Sequence, residues 1–170
     1  SEMCIRDRVN GTDSASAAAV TASAGKAASL SGVAVAKGTS YAAAPAVSTN
    51  VIRSGAGSIS ASTTVTAVSG ESKVGQKVTF TVTEYSASAL AAGGSVSAGG
   101  KTLTNAASGT TEKFTVDVTS DADGVATLPI TYAGLADGNK ISVSATAVGA
   151  SATVSATAID LTAQDSVATA

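Results

Sequence analysis

The sequence predicts an all-β protein, an antiparallel β-sandwich, on three observations. Apolar and polar residues alternate with a period of two from residue 58 onward, the signature of half-buried strands. Turn-forming Gly, Asp, Asn and Pro interrupt that alternation every 8 to 15 residues or so, the spacing of an all-β domain. The composition points the same way, since Ala, Ser, Thr, Val and Gly dominate, while the 170 residues hold only three Tyr, two Phe, no Trp and no His.

Residues 9–50 are a Ser/Ala/Gly stretch with weak alternation at Leu30, Val33 and Val35 and a break at Tyr41-Ala-Ala-Ala-Pro45. Alanine runs favour helix, but the interspersed Ser, Thr, Gly and Val favour turns and strands. We therefore assign 9–57 to the tail of a preceding repeat and a linker, with a short helix over Ser14–Ala24 as the alternative. Then Ile59, Ala61, Thr63, Val65 and Ala67 define one strand, and Val78, Phe80 and Val82, alternating with Thr79, Thr81 and Thr83, define the next. Val96 and Ala98 start a short strand, Gly99-Gly100 turns the chain, and Leu103 follows. Phe114, Val116 and Val118 share one face of a further strand, opposite Thr115, Asp117 and Thr119.

Ser120-Asp-Ala-Asp-Gly124 is expected to be a tight hairpin turn, because Asp and Gly tolerate the backbone angles it requires. Ala126, Leu128, Ile130 and Tyr132 then point inward. Pro129 falls on the opposite parity and must sit at an edge or bulge, where no N–H is needed. A second turn spans Ala133-Gly-Leu-Ala-Asp-Gly138. Ile141, Val143, Ala145 and Ala147 form the next strand, Gly149 breaks it, and Ala152, Val154, Ala156 and Ala158 form the last. About seven strands in roughly 100 residues is the pattern of an immunoglobulin-like antiparallel β-sandwich. The Cys…Trp…Cys set of antibody domains is absent.

Residues 1–8, SEMCIRDR, stand apart: they hold four of the 22 charged residues and the only Met and Cys of the chain. The string resembles the translated remnant of a sequencing adapter at the end of a reading frame assembled from environmental reads, and it is set aside from fold reasoning. On that expectation Cys4 has no disulfide, metal or nucleophilic role and the gene is truncated upstream. The expected organisation is then 9–57 as tail and linker, 58–160 as the domain, and 161–170 as a linker to a following domain.

Three stretches carry a family resemblance: Val74-Gly-Gln-Lys-Val-Thr-Phe-Thr-Val-Thr83, Thr119-Ser-Asp-Ala-Asp-Gly-Val-Ala-Thr-Leu128 and Lys140-Ile-Ser-Val-Ser-Ala-Thr-Ala-Val148. They resemble the bacterial immunoglobulin-like (Big) repeats of invasin/intimin-type adhesins and surface-layer proteins, in which a VTFTV strand, a D-x-D/N-G-x-A-T hairpin and a closing VxVxATV strand follow one another. The match covers residues 58–160, and the segment between Tyr85 and Glu112 is longer and richer in Gly than the family pattern. The resemblance implies a tandem module of a secreted cell-surface protein, an adhesin stalk or surface-layer unit, whose partners are neighbouring repeats and, beyond them, a lattice or host-surface protein or glycan. An adhesive binding module or an immunoglobulin-like decoration domain of a phage virion is the alternative.

The residue inventory narrows the chemistry. Without His there is no Ser-His-Asp or Cys-His catalysis and no His-containing zinc site. Ten basic and twelve acidic residues give a net charge of −2, and the basic residues do not cluster, so nucleic acid is not an expected partner. The mean hydropathy of +0.31 comes from Ala and Val, without the run of about 18 apolar residues that a spanning helix needs. Asp121-Ala-Asp123-Gly124 is half of a calcium loop, lacking the third acidic position and the distal Glu. A plain turn explains it. As the only metal suggestion, surface calcium at Asp121 and Asp123 would be helped by Asp117, Asp137 or Asn139 if the hairpin tips converge.

Ser23-Ala-Gly-Lys26 matches an S-x-x-K motif without its S-D-N and K-T-G companions, a spacing that chance supplies in so Ser-rich a chain. Glu71, Glu84 and Glu112 are expected on solvated surface near strand ends, with no Trp platform for a sugar. A Lys–Asn crosslink would need an Asn on a terminal strand beside a buried acid, which the closing strands do not offer. Asn10-Gly-Thr12 is a glycosylation sequon. An adhesive tip would expose aromatic or Arg anchors, for which only Tyr41, Tyr85, Tyr132 and Arg53 qualify, and Tyr132 is expected in the core. The expected function is a non-catalytic spacer.

Overall fold

The structure is a computed structural model that describes residues 27–37, 50–86, 94–104 and 109–164. The Ser14–Ala24 alternative, Cys4, the S-x-x-K motif, the Asn10 sequon and Tyr41 lie outside the described residues. Twelve strands are present, where about seven are expected from the alternation: β1 Ala27–Leu30, β2 Ala34–Lys37, β3 Val51–Arg53, β4 Gly55–Ala67, β5 Lys77–Tyr85, β6 Ser95–Ala98, β7 Lys101–Thr104, β8 Thr111–Thr119, β9 Val125–Leu135, β10 Lys140–Val148, β11 Thr153–Ser155 and β12 Ile159–Gln164. The additional strands are mostly three or four residues long. Such pieces are too short to display a period in an Ala/Ser background.

They form two packed sheets. One has the order β1-β4-β9-β6-β7, with β2 also on β4; the other has the order β3-β12-β10-β5-β8, with β11 also on β10. Strand β4 pairs with β9 in the first sheet while β5 pairs with β10 in the second, so the chain crosses between sheets in the Greek-key manner of immunoglobulin-like sandwiches. The Tyr85–Glu112 segment departs from a simple meander. From β5 the chain visits the first sheet for the β6–β7 hairpin and returns to the second for β8.

The inward rows are those that the alternation marks. Ile59, Ala61, Thr63 and Val65 of β4, Val78, Phe80 and Val82 of β5, Ala126, Leu128, Ile130 and Tyr132 of β9, and Ile141, Val143, Ala145 and Ala147 of β10 are all buried. A third of the buried apolar set is alanine, so the weight of the core rests on Phe80, Ile52, Ile130, Ile141 and Leu161. Pro129 lies in a central strand, opposite Ser60 of β4. Among the described residues its other side has no pairing, because β6 reaches only Thr131–Ala133, which gives a local edge inside the sheet.

Three elements differ from expectation. The turn placed at Ala133–Gly138 starts later, because β9 bulges between Tyr132 and Leu135 and continues to Leu135. The last strand expected over 152–158 shrinks to Thr153–Ser155, with Ala152 and Ala158 exposed. Ile159–Gln164, assigned to domain end and linker, instead forms β12, burying Leu161 and Ala163 between β10 and β3. Upstream, β1, β2 and β3 take residues 27–37 and 51–53 into the same two sheets as 58–160.

Candidate functional site

The sandwich has two ends of different chemistry. At the first, Asp121 and Asp123 sit in the turn between β8 and β9, which belong to different sheets and do not pair, so the expected hairpin is a turn from one sheet to the other. Gly124 has φ 83°, and a Cβ there would meet the Val65 carbonyl at 3.0 Å, so the position requires glycine. Asp121 Oδ1 accepts the N–H groups of Asp123 and Val125, each at 2.9 Å, an Asx-type turn. Buried polar groups nearby are satisfied: Ser120 Oγ donates to the Lys73 carbonyl at 2.6 Å and accepts the Gln76 N–H at 2.9 Å, and Gln76 Nε2 donates to Ser72 O at 2.9 Å. An open depression of about 690 Å³ lies beside the turn, with Glu71, Lys73 and Asp123 on its polar wall.

The further donors that a calcium site here would need do not gather around it. Asp137 and Asn139 lie beyond the far end of β9, an 11-residue strand roughly 35 Å long. Asp137 there accepts a hydrogen bond from Ser54 Oγ. Asp117 is engaged on the outer face of its sheet, by Thr79 Oγ1 at 2.7 Å and Lys77 Nζ at 3.7 Å. Among the described residues, no group of three or more His, Cys, Asp or Glu could hold a metal ion.

The opposite end holds a buried polar cluster that the sequence reading did not find. Glu84 has 0% exposure, as do Ser86 and Asn139. Glu84, expected on solvated surface, follows Val78, Phe80 and Val82 on the inward parity of β5 and is therefore carried into the sandwich. Ser86 Oγ donates to Glu84 Oε2 at 2.5 Å, while Oε1 has no hydrogen-bond partner among the described residues. Burial pushes the Glu84 carboxyl above its ordinary 4.5, the Ser86 hydrogen bond opposes this, and the carboxylate of Glu112 adds to it.

Register explains the neighbours. Glu112 of β8 stands opposite Glu84, and Ile141 of β10 flanks its other side, so Asn139, two residues earlier, enters the same end of the core. The two carboxylates that sequence reasoning scattered are thus cross-strand partners. They make no glycoside-cleaving pair, since Glu84 is sealed from any substrate while Glu112 is exposed. Asn139 lies in the turn before β10 and not on a closing strand. Of the lysines whose burial is described, Lys73, Lys77, Lys101, Lys113 and Lys140 are all exposed, so none of these offers a buried amine for a Lys–Asn crosslink. The signal for Glu84 was present in the period-two count, which places it in step with Phe80.

Of the anchor candidates, Tyr132 is buried and donates its hydroxyl to the Arg53 carbonyl at 2.8 Å, whereas Tyr85 is 40% exposed at the Glu84 end. Compared with family models, curated proteins and solved structures, the chain matches none. Among the described residues no helix is long and apolar enough to cross a membrane.

Proposed function

We propose that this chain is a non-catalytic spacer module of a secreted bacterial cell-surface protein, a unit of an adhesin stalk or surface layer. The observation that carries the reading is the placement of the first and last described strands. Ala27 opens β1 at the end that carries the Asp121 turn, paired with Ala67 and bridged to Gly149. Gln164 closes β12 at the Glu84 end, beside Arg53. The chain therefore runs into one end of the sandwich and out of the other, as an in-line unit must.

Both strands lie along the long axis, β1 antiparallel to β4, and β12 antiparallel to β10 and parallel to β3. Tension between Ala27 and Gln164 then loads several backbone hydrogen bonds at once instead of peeling them singly. The outward rows suit a solvated stalk: Thr79, Thr81 and Thr83 of β5 align with Thr146, Ser144 and Ser142 of β10. The family resemblance of the VTFTV strand and the DADGVAT turn supports the same reading.

Small-angle scattering of one, two and three copies of the full chain joined in tandem tests it. The maximum dimension should grow by about 40 Å per copy, the length of the 13-residue β4. Copies that fold back into a compact particle would overturn the spacer reading.

A further inference from the structure

Strand β8 is a nine-residue edge, paired with β5 on one side and with no strand on the other among the described residues. Two bonds just beyond its ends set its hydrogen-bond phase. Ser86 N–H donates to the Thr110 carbonyl and Ser120 N–H to the Gln76 carbonyl, so the even-numbered residues of β8 face β5. The N–H and C=O groups of Thr111, Lys113, Thr115, Asp117 and Thr119 therefore point away from it, to the open side. The inward row beneath them, Phe114, Val116 and Val118, is only half-buried although it packs against the core.

The strand is also self-complementary. Turned antiparallel about Thr115, Thr-Glu-Lys-Phe-Thr-Val-Asp-Val-Thr sets Thr111 against Thr119, Lys113 against Asp117 and Phe114 against Val116 of its copy, and the two-fold axis repeats each pair. Lys113 and Asp117 fall in register as opposite charges and Phe114 and Val116 as an apolar pair, while Glu112 stands against Val118. The outward-facing backbone groups fall in register too, since all five residues that face the open side pair with one another.

One side chain lies across this edge. Lys101 Nζ, from the β6–β7 hairpin, donates to the Thr115 carbonyl at 2.6 Å, at the centre of the two-fold. The hairpin tip holds it there: Gly99, at φ 56°, abuts Val116 so closely that a Cβ would lie 2.4 Å from Val116 Cγ1. A lysine over an exposed edge is a recognised guard against strand addition.

We infer that β8 is a docking edge for a second copy of this chain, pairing antiparallel about Thr115 with Lys113 against Asp117, and that Lys101 is the latch that must leave for the pairing to form. The occupant is fixed by the self-complementary order of β8. The inference goes beyond the spacer reading, and joins modules side by side where that reading joins them end to end.

Sedimentation equilibrium of the full chain under reducing conditions, up to about 1 mM, the weak limit of specific pairing, tests it. Lys101→Met should associate as a dimer more tightly than the unmodified chain. Adding Lys113→Asp should weaken that dimer about tenfold by turning two attractive pairs repulsive, and adding Asp117→Lys to both should restore it. Amide exchange at Lys113, Thr115 and Asp117 should slow with concentration while that of Phe114 and Val116 stays slow throughout, a readout that works in the unmodified chain should Lys101→Met misfold. No dimer in either protein at the highest concentration, or a dimer indifferent to the charge reversals, would overturn the inference and leave the spacer reading intact.

Discussion

Glu84 is a carboxyl placed by strand parity where its charge is poorly served. With one oxygen held by Ser86 and the other without a described partner, the protonated form suits the folded state better than the ionised one. Its folded pKa is raised, so the unfolded chain releases this proton first as pH climbs through 4.5. The stability linked to Glu84 is therefore fully present below that pH and declines as pH rises toward the folded value. Glu84→Gln should match the unmodified protein in acid and exceed it near neutrality. Urea unfolding of both proteins from about pH 3 to about pH 8 checks this, and the two curves should diverge only above the unfolded pKa. The burial of Glu84 was legible in the alternation, but its charge argued for the surface, since Glu is rarely buried without a partner. What one strand cannot reveal is which hydroxyl and which second carboxylate lie across from it.

At the scale of elements, the long strands and the short β6–β7 hairpin around Gly99-Gly100 were legible, and the short strands β1, β2 and β3 were not. The inward rows of β4, β5, β9 and β10 declare themselves because each presents at least four alternating positions with Val, Ile or Phe among them. β1, β2 and β3 hold three or four residues each, and their pairing with β4 and β12 is a tertiary outcome that no local period encodes. Gly134 was read as part of a turn; at φ 71° it sits inside a bulge that lets β9 run on. The turn at Asp121 was legible, because its chemistry is local, but not that it joins the two sheets where a hairpin was expected, because strand pairing is a tertiary outcome. Asp121 carries two backbone hydrogen bonds and Asp123 contributes only its main chain, so the two acids should behave differently. Asp121→Ala should cost about 1 to 2 kcal/mol and Asp123→Ala almost nothing. Thermal unfolding by circular dichroism, run with and without millimolar Ca2+, should show midpoints that calcium leaves in place; a calcium-dependent rise that Asp123→Ala abolishes would make the turn a metal site.

For the whole molecule, the central matter is direction. A core in which a third of the buried apolar residues are alanine buries little area per side chain, at about 25 cal/mol per Å², and gains little from packing alone. A module of this kind resists force through the alignment of its strands more than through the depth of its core. β1 and β12 lie at opposite ends and along one axis, so a pull from Ala27 to Gln164 shears both, whereas a pull between two points at one end would peel the sheets bond by bond. Single-molecule force spectroscopy on tandem copies measures the difference. Pulled through its termini, each copy should open in one step at high force and release roughly 450 Å of chain at about 3.6 Å per residue. Pulled through Ser69→Cys and Ser151→Cys, both exposed at the end that carries the Asp121 turn, in a Cys4→Ser background, it should open at markedly lower force. Equal forces in the two geometries, or extension through the termini without a discrete step, would contradict the account of this chain as an in-line spacer.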